Sequence, residues 1–150
     1  MTDMKITLTK IGIIHSPYKT TKEAPRQGTK KPSIIEIFEE YQEGLKDIEE
    51  FSHFHIYYYL HESRGYNLMV QTPWDSEKHG LFTTRSPHRP NPIGHSIVKL
   101  IKKDKNKITV ENLDAIQGTP VIDIKPYVKR TDCKPDVCCG WIEKTDLMNY

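Results

Sequence analysis

No apolar run in the sequence approaches the roughly 20 residues that a membrane-spanning helix needs, and no N-terminal stretch resembles a secretory signal. A chain without either is expected in the cytoplasm, with no membrane partner. Cysteine is scarce as well. Cys133, Cys138 and Cys139 all fall in CKPDVCC near the C-terminus, which is no disulfide framework and lacks the two separate ligand arms of a usual zinc site. A P-loop, a nucleophile elbow and a G-x-G-x-x-G turn are all missing, which argues against Walker-type phosphate binding, covalent serine catalysis and Rossmann cofactor binding. Excess charge is missing too: 22 Lys and Arg against 20 Asp and Glu leave a net charge of +2. Bulk charge therefore does not mark a nucleic-acid binder, and any basic surface must be local, as in residues 99–107, where five lysines face only Asp104. There is no repeat at solenoid spacing and no low-complexity linker.

What remains is a chain of 150 residues, enough for one ordinary core. Residues 4–15 and 33–38 are β-branched and bounded by turn formers, so both read as strands, with a polar loop between them. Residues 51–61 alternate strictly, placing Phe51, His53, His55, Tyr57, Tyr59 and His61 on one face and Ser52, Phe54, Ile56, Tyr58 and Leu60 on the other. A strand is predicted over residues 80–84, a hairpin over HSIVKLIKK and KITVENLDA with its turn at DKN, and a last strand at VIDIKPYV. Helix is confined to a short amphipathic segment around residues 40–50, interrupted by Gly44. The expected fold is mainly β: a single-domain antiparallel β-barrel with a short helical excursion over residues 1–131, followed by a cysteine-bearing tail over 132–150.

Four polar clusters could carry chemistry. TRSPHRPNPIGHS, residues 84–96, is stiffened by Pro87, Pro90 and Pro92, which cannot join the middle of a sheet, and it displays Arg85, His88, Arg89 and Asn91. These groups suit phosphate, carboxylate or a base edge. APRQG, residues 24–28, is a donor-rich turn that reads equally well as an exposed loop. The His-x-His face with His53, His55 and His61, followed by Glu62, has a spacing that metal sites use, so a metal-dependent hydrolase is a rival reading, although no H-E-x-x-H accompanies it. In NLDAIQGTPVIDIKPY, Asp123, Lys125 and Tyr127 share one strand face and form either a substrate-facing row or a surface ion pair.

IGIIHSPYK, APRQG, FSH, TRSPHRPNPIG and LDAIQGTPVIDIKPY together resemble the ordered motifs of the TsaA-like family, also called the TrmO family, from about Ile11 to Tyr127. The resemblance implies an S-adenosylmethionine-dependent tRNA methyltransferase built on a β-barrel and forming homodimers. Its substrate would be threonylcarbamoyladenosine beside the anticodon, methylated on N6. Carried over by motif, the cofactor site would contain Pro25, Arg26, Gln27, His61, Glu62, Arg89, the backbone near Leu100, and Asp114, Ala115, Ile116 and Gln117. Arg85, His88 and Asn91 would face RNA, and Asp123, Lys125 and Tyr127 would assist proton removal from the acceptor nitrogen. No resident metal is implied. The chain looks like a short form without the additional C-terminal domain of longer relatives. That difference bears on the substrate more than on the cofactor, and two alternatives stand beside the methyltransferase: a barrel that binds S-adenosylmethionine or a nucleotide without turnover, and the hydrolase.

Overall fold

The computed structural model describes residues 3–25 and 30–145. Among the described residues there are eight strands: β1 (Gly12–His15), β2 (Ser33–Ile37), β3 (His53–Tyr59), β4 (Met69–Gln71), β5 (Lys78–Gly80), β6 (Ile93–Asp104), β7 (Lys107–Glu111) and β8 (Pro120–Pro126). Six of them close on themselves in the order β1-β2-β7-β6-β3-β8, every pairing antiparallel, while β4 and β5 form a separate two-stranded sheet. Closure removes the free edges that an exposed sheet would offer to other chains. Period-two alternation decides what fills the interior. Ile14, Ile35, Ile37, Phe54, Ile56, Tyr58, Val98, Ile108, Val110 and Val121 point inward, and Leu113, just past β7, joins the same core. Each such side chain gains about 1.5–3 kcal/mol by leaving water.

The inward and outward faces read from residues 51–61 agree with the burial along β3, where Phe54, Ile56 and Tyr58 are buried. The predicted hairpin is β6–β7, turning at Lys105, whose φ of 55° is left-handed. Three expectations need correction. The strand drawn over residues 4–15 begins only at Gly12; Met4, Ile6 and Leu8 are exposed, because β1 pairs with β2 and β8 only from Gly12 on and strand propensity without a partner does not make a strand. The segment around residues 40–50 forms two 3-10 turns, Glu39–Leu45 and Ile48–Glu50, parted at Asp47 (φ 66°). Leu45 and Ile48 are its buried anchors, three residues apart, a spacing that suits the 3-10 period. The strand expected over 80–84 ends at Gly80, and Leu81–Thr83 is a 3-10 turn with Leu81 buried.

The chain divides into two compact units: residues up to His61 with Ile93–Tyr127, and Glu62–Pro92 with residues from Val128 on. The first contains the barrel. The second contains β4, β5, the proline-rich segment and the C-terminal turns. Within this second unit the tail is tied down by Trp141. Its indole stacks on His79 at 4.1 Å and 7°, and its Nε1–H donates to Thr83 Oγ1 at 3.1 Å. Among the described residues no helix is long and apolar enough to cross a membrane.

Candidate functional site

The loop between β7 and β8 is the best-built polar element of the barrel unit. Leu113, Ala115 and Ile116 anchor it in the core, and the left-handed residues Asn112 (φ 75°) and Gly118 (φ 85°) turn it. Asp114 is thereby held against the inward residues of β3 and β6. Its Oδ1 accepts from Tyr58 Oη at 3.1 Å and from Ser96 Oγ at 3.2 Å, and the two hydroxyls are 2.9 Å apart. Its other oxygen has no hydrogen bond among the described residues. Gln117 closes the same loop: its Oε1 accepts the Ser16 N–H at 2.8 Å, and its Nε2 lies 3.4 Å from His15 Nδ1. His15 Nε2 in turn reaches Glu36 at 3.3 Å. A cavity of about 420 Å³ opens here, lined by His15, Pro17, Pro32, Ile34, Lys102 and Gln117 among others. That size is ordinary for a small-ligand site, and the lining joins apolar faces to a few polar groups.

The proline-rich motif owes its glycine to Tyr58. Gly94 pairs with Tyr58 across β6 and β3, and a Cβ on Gly94 would overlap the phenol ring, with Cδ2 and Cζ at 2.7 Å. Only glycine lets that ring lie flat on the strand and carry its hydroxyl to Asp114.

On the outer face of the same strands the register sets three rows: Asp123, Tyr57 and His95; Lys125, His55 and Ile97; and His53 beside Lys99. Lys125 pairs with Asp123 at 3.3 Å. His55 Nδ1 lies 2.9 Å from His95 Nε2 with the rings 14° apart, so the imidazoles share a proton nearly in plane. Tyr127 stacks on His55 at 5.5 Å, and Tyr57 stacks on His95 at 5.0 Å. The predicted row of Asp123, Lys125 and Tyr127 is thus brought together, beside His95, which the sequence reading missed. It lies on the opposite side of the sheet from Tyr58 and Ser96, the residues that hold Asp114.

Other expected site residues are placed less simply. Arg26 and Gln27 lie outside the described residues; Pro25, before them, is half-buried. Leu100 packs inward at a register shift in β6, its N–H given to Ser52 O at 2.8 Å. It stands four residues from Ser96, about 13 Å along the strand, so it is not gathered with Asp114. His61 is half-buried at the end of β3's extension and Glu62 is exposed. Arg89 braces its own loop: Nη1 donates to Thr84 O at 3.0 Å and Ser86 O at 3.1 Å, and the guanidinium lies 6.0 Å from the Phe82 ring centroid. Arg85 and Asn91 are exposed, with no hydrogen bond among the described residues.

The histidines proposed for a metal do not form a three-ligand group. Among the described residues the cluster with that spacing is Asp75, Glu77 and His79 in the second unit. There His79 Nε2 meets Asp75 Oδ2 at 2.6 Å, and Glu77 N–H donates to Asp75 Oδ1 at 3.1 Å. The His79 hydrogen bond first, and then the backbone one, hold the Asp75 carboxyl below its ordinary value. A carboxylate lowered on folding contributes stability above its unfolded pKa, and that contribution is lost as pH falls through the lower folded value. In urea unfolding, the gap between wild type and Asp75→Asn is accordingly expected to be widest near neutrality and to shrink below about pH 4. A gap that is constant with pH would overturn the assignment.

A closed antiparallel barrel with a core-anchored polar loop beside a cavity defines a small-ligand-binding β-barrel, distinct from the doubly wound sheets that bind cofactors at a glycine-rich turn. Within that class, the chain belongs to the family described as tRNA-methyltransferase O N-terminal domain, whose model matches residues 13–133. It is 47% identical over 137 residues to a "Probable S-adenosyl-L-methionine-binding protein" of Pyrococcus abyssi, covering 89% of this chain and 74% of that one. It is 38% identical to a "tRNA (adenine(37)-N6)-methyltransferase" of Mus musculus, covering 81% of this chain and 31% of the mouse protein. The crystal structure of TrmO from Pseudomonas aeruginosa superposes with a TM-score of 0.76 at 29% identity, over 92% of this chain and 63% of that one. The chain thus spans less than two thirds of the mouse protein and of the Pseudomonas aeruginosa TrmO chain.

Proposed function

We propose that this chain is an S-adenosylmethionine-dependent methyltransferase acting on N6 of an adenosine in tRNA, with threonylcarbamoyladenosine beside the anticodon as acceptor. The observation that carries the reading is the Asp114–Gln117 loop: it holds a carboxylate fixed by two hydroxyls yet with one oxygen left over, and, at Gln117, an amide that lines a cavity of about 420 Å³. S-adenosylmethionine offers an adenine, a ribose diol, a carboxylate and two cationic centres, and this donor and acceptor set fits it. Asp114 would accept from the ammonium or the diol, Gln117 would bond a polar edge, and the apolar wall of Pro17, Pro32 and Ile34 would face the ring. Arg26 and Gln27, assigned to the cofactor by their motif, belong to the same proposal.

The bound cofactor supplies an electrophilic methyl group on a sulfonium, so alignment of the acceptor nitrogen is the protein's main task. That nitrogen is flanked by a carbonyl and must lose its proton. Asp123 is proposed to receive it, with Lys125 holding the threonyl carboxylate and Tyr127 fixing the row. The homodimer and the cytoplasmic location belong to the same proposal.

Isothermal titration with S-adenosylmethionine is expected to show saturable binding, and labelled methyl groups are expected to enter tRNA. In single turnover at saturating cofactor, Asp123→Asn is expected to slow transfer at least tenfold with cofactor affinity kept. Saturable binding without transfer to any tRNA pool would instead favour a non-catalytic binding barrel, and no binding at millimolar ligand would overturn both readings.

A further inference from the structure

The hairpin of β4 and β5 carries a cluster that the proposed reaction does not use. Asp75, Glu77 and His79 each offer one ligand atom, and these atoms lie within 4.8 Å of one another. Two carboxylates with one imidazole make a mixed oxygen and nitrogen set, of the kind that holds first-row divalent ions. Acidic turns often stand in water with no ion, and what sets this one apart is Thr72. That residue is 8% exposed, and its Oγ1 is buried with no hydrogen-bond partner among the described residues. A buried hydroxyl ordinarily finds one. Val70 stands opposite His79 in the register. Pro73 keeps the residue before it extended, so the alternation runs on to Thr72. Two residues on from Val70 is Thr72, and two back from His79 is Glu77, which places all four on one face of the hairpin. The orphaned hydroxyl is therefore aimed at the cluster. Lys78, the adjacent cation, falls with Gln71 on the opposite face and leaves the two carboxylates unneutralised. The His79 ring is already held in place, because Trp141 stacks on it at 4.1 Å and 7°.

We infer that this hairpin binds one first-row divalent cation of the zinc kind, held by Asp75, Glu77 and His79, with the Thr72 hydroxyl bonded to a water on the ion. The cation takes the place of the proton that His79 Nε2 and Asp75 Oδ2 share at 2.6 Å. Three protein ligands leave a position for that water, and the water gives Thr72 its missing partner. The imidazole selects against magnesium and calcium, which prefer shells made of oxygen alone. By fixing the ring on which Trp141 stacks, the ion ties the C-terminal turn Gly140–Lys144 to the hairpin. The site shares no residue with the methyltransferase reading and stands or falls apart from it.

The test uses the whole chain carrying Cys133→Ser, Cys138→Ser and Cys139→Ser, because three exposed thiols are rival zinc ligands. Chelator-treated protein is titrated calorimetrically with zinc ion alone, and one saturable site per chain is expected at micromolar affinity or tighter. Glu77→Gln alters an exposed side chain and keeps the fold. It and His79→Gln are each expected to weaken binding at least about tenfold, and Thr72→Val, which keeps the shape and removes the orphaned hydroxyl, about tenfold. His95→Ala removes the other close imidazole pair and is expected to bind zinc as its parent does. With Trp74→Phe, Trp141 is the only tryptophan left, and its emission is expected to change with the same midpoint as the heat. No saturable zinc binding, or parent affinity in both Glu77→Gln and His79→Gln, would overturn the inference. So would loss of the site in His95→Ala with Glu77→Gln unaffected, since zinc would then sit on the outer-face histidines. Equal affinity for magnesium would overturn the choice of cation, and constant Trp141 emission through saturation would overturn the tie to the C-terminal turn.

Discussion

Gly94→Ala is expected to lower stability by about 2–4 kcal/mol, the cost of overpacking a closed interior together with strain on hydrogen bonds to a carboxylate. The added Cβ meets the Tyr58 ring, and that ring is 5% exposed and packed among Ile14, Ile56 and Val121. It cannot swing outward without opening the barrel. Any shift that relieves the overlap also draws the hydroxyl from Ser96 and Asp114, so the loop that carries the proposed ligand site loosens with it. Gly80→Ala is the matched control: nothing lies within 4 Å of its Cβ position and its φ is −59°, so its effect is expected within about 0.5 kcal/mol of zero. Urea unfolding of both variants decides the matter. A double variant carrying Tyr58→Ala as well is expected to be less destabilised than the two single effects combined, since one ring is responsible for both. Equal behaviour of Gly94→Ala and Gly80→Ala would mean that the ring is not held.

The case of Gly94 also shows where sequence reading stops. The β6–β7 hairpin was legible because alternation, a polar turn and a left-handed position all agree within a few residues. The face assignment on β3 was legible for the same reason, since strand period fixes which side chains share a side. Residues 4–11 carry a similar alternation, yet β1 and its partners begin at Gly12, and pairing is a long-range fact that local pattern does not contain. The same gap separates motif from role. The proline-rich stretch reads correctly as stiff, but Arg89 spends its Nη1 on Thr84 and Ser86, and the glycine serves a tyrosine on another strand. His95 was missed because its partner His55 is a neighbour only across the ladder. Trp141 was likewise invisible as an anchor until the β4–β5 hairpin supplied His79.

Asp114 provides the second large effect, and two substitutions there separate charge from architecture. Asp114→Asn keeps an oxygen for the Tyr58 and Ser96 hydroxyls, so the loop is expected to retain its place and stability to change by less than about 1 kcal/mol. The negative charge is gone, and with it the attraction for the cationic centres of S-adenosylmethionine. Titration is therefore expected to show affinity falling at least tenfold, about 1.4 kcal/mol. Asp114→Ala removes the acceptor as well. Two hydroxyls on inward-facing side chains then lose a shared partner, and an unsatisfied buried donor costs about 1–3 kcal/mol. Binding and stability are both expected to fall. Normal cofactor affinity in Asp114→Asn, with weak affinity in Asp114→Ala, would mean that the carboxylate only positions the loop. In that event Gln117 would have to supply the recognition.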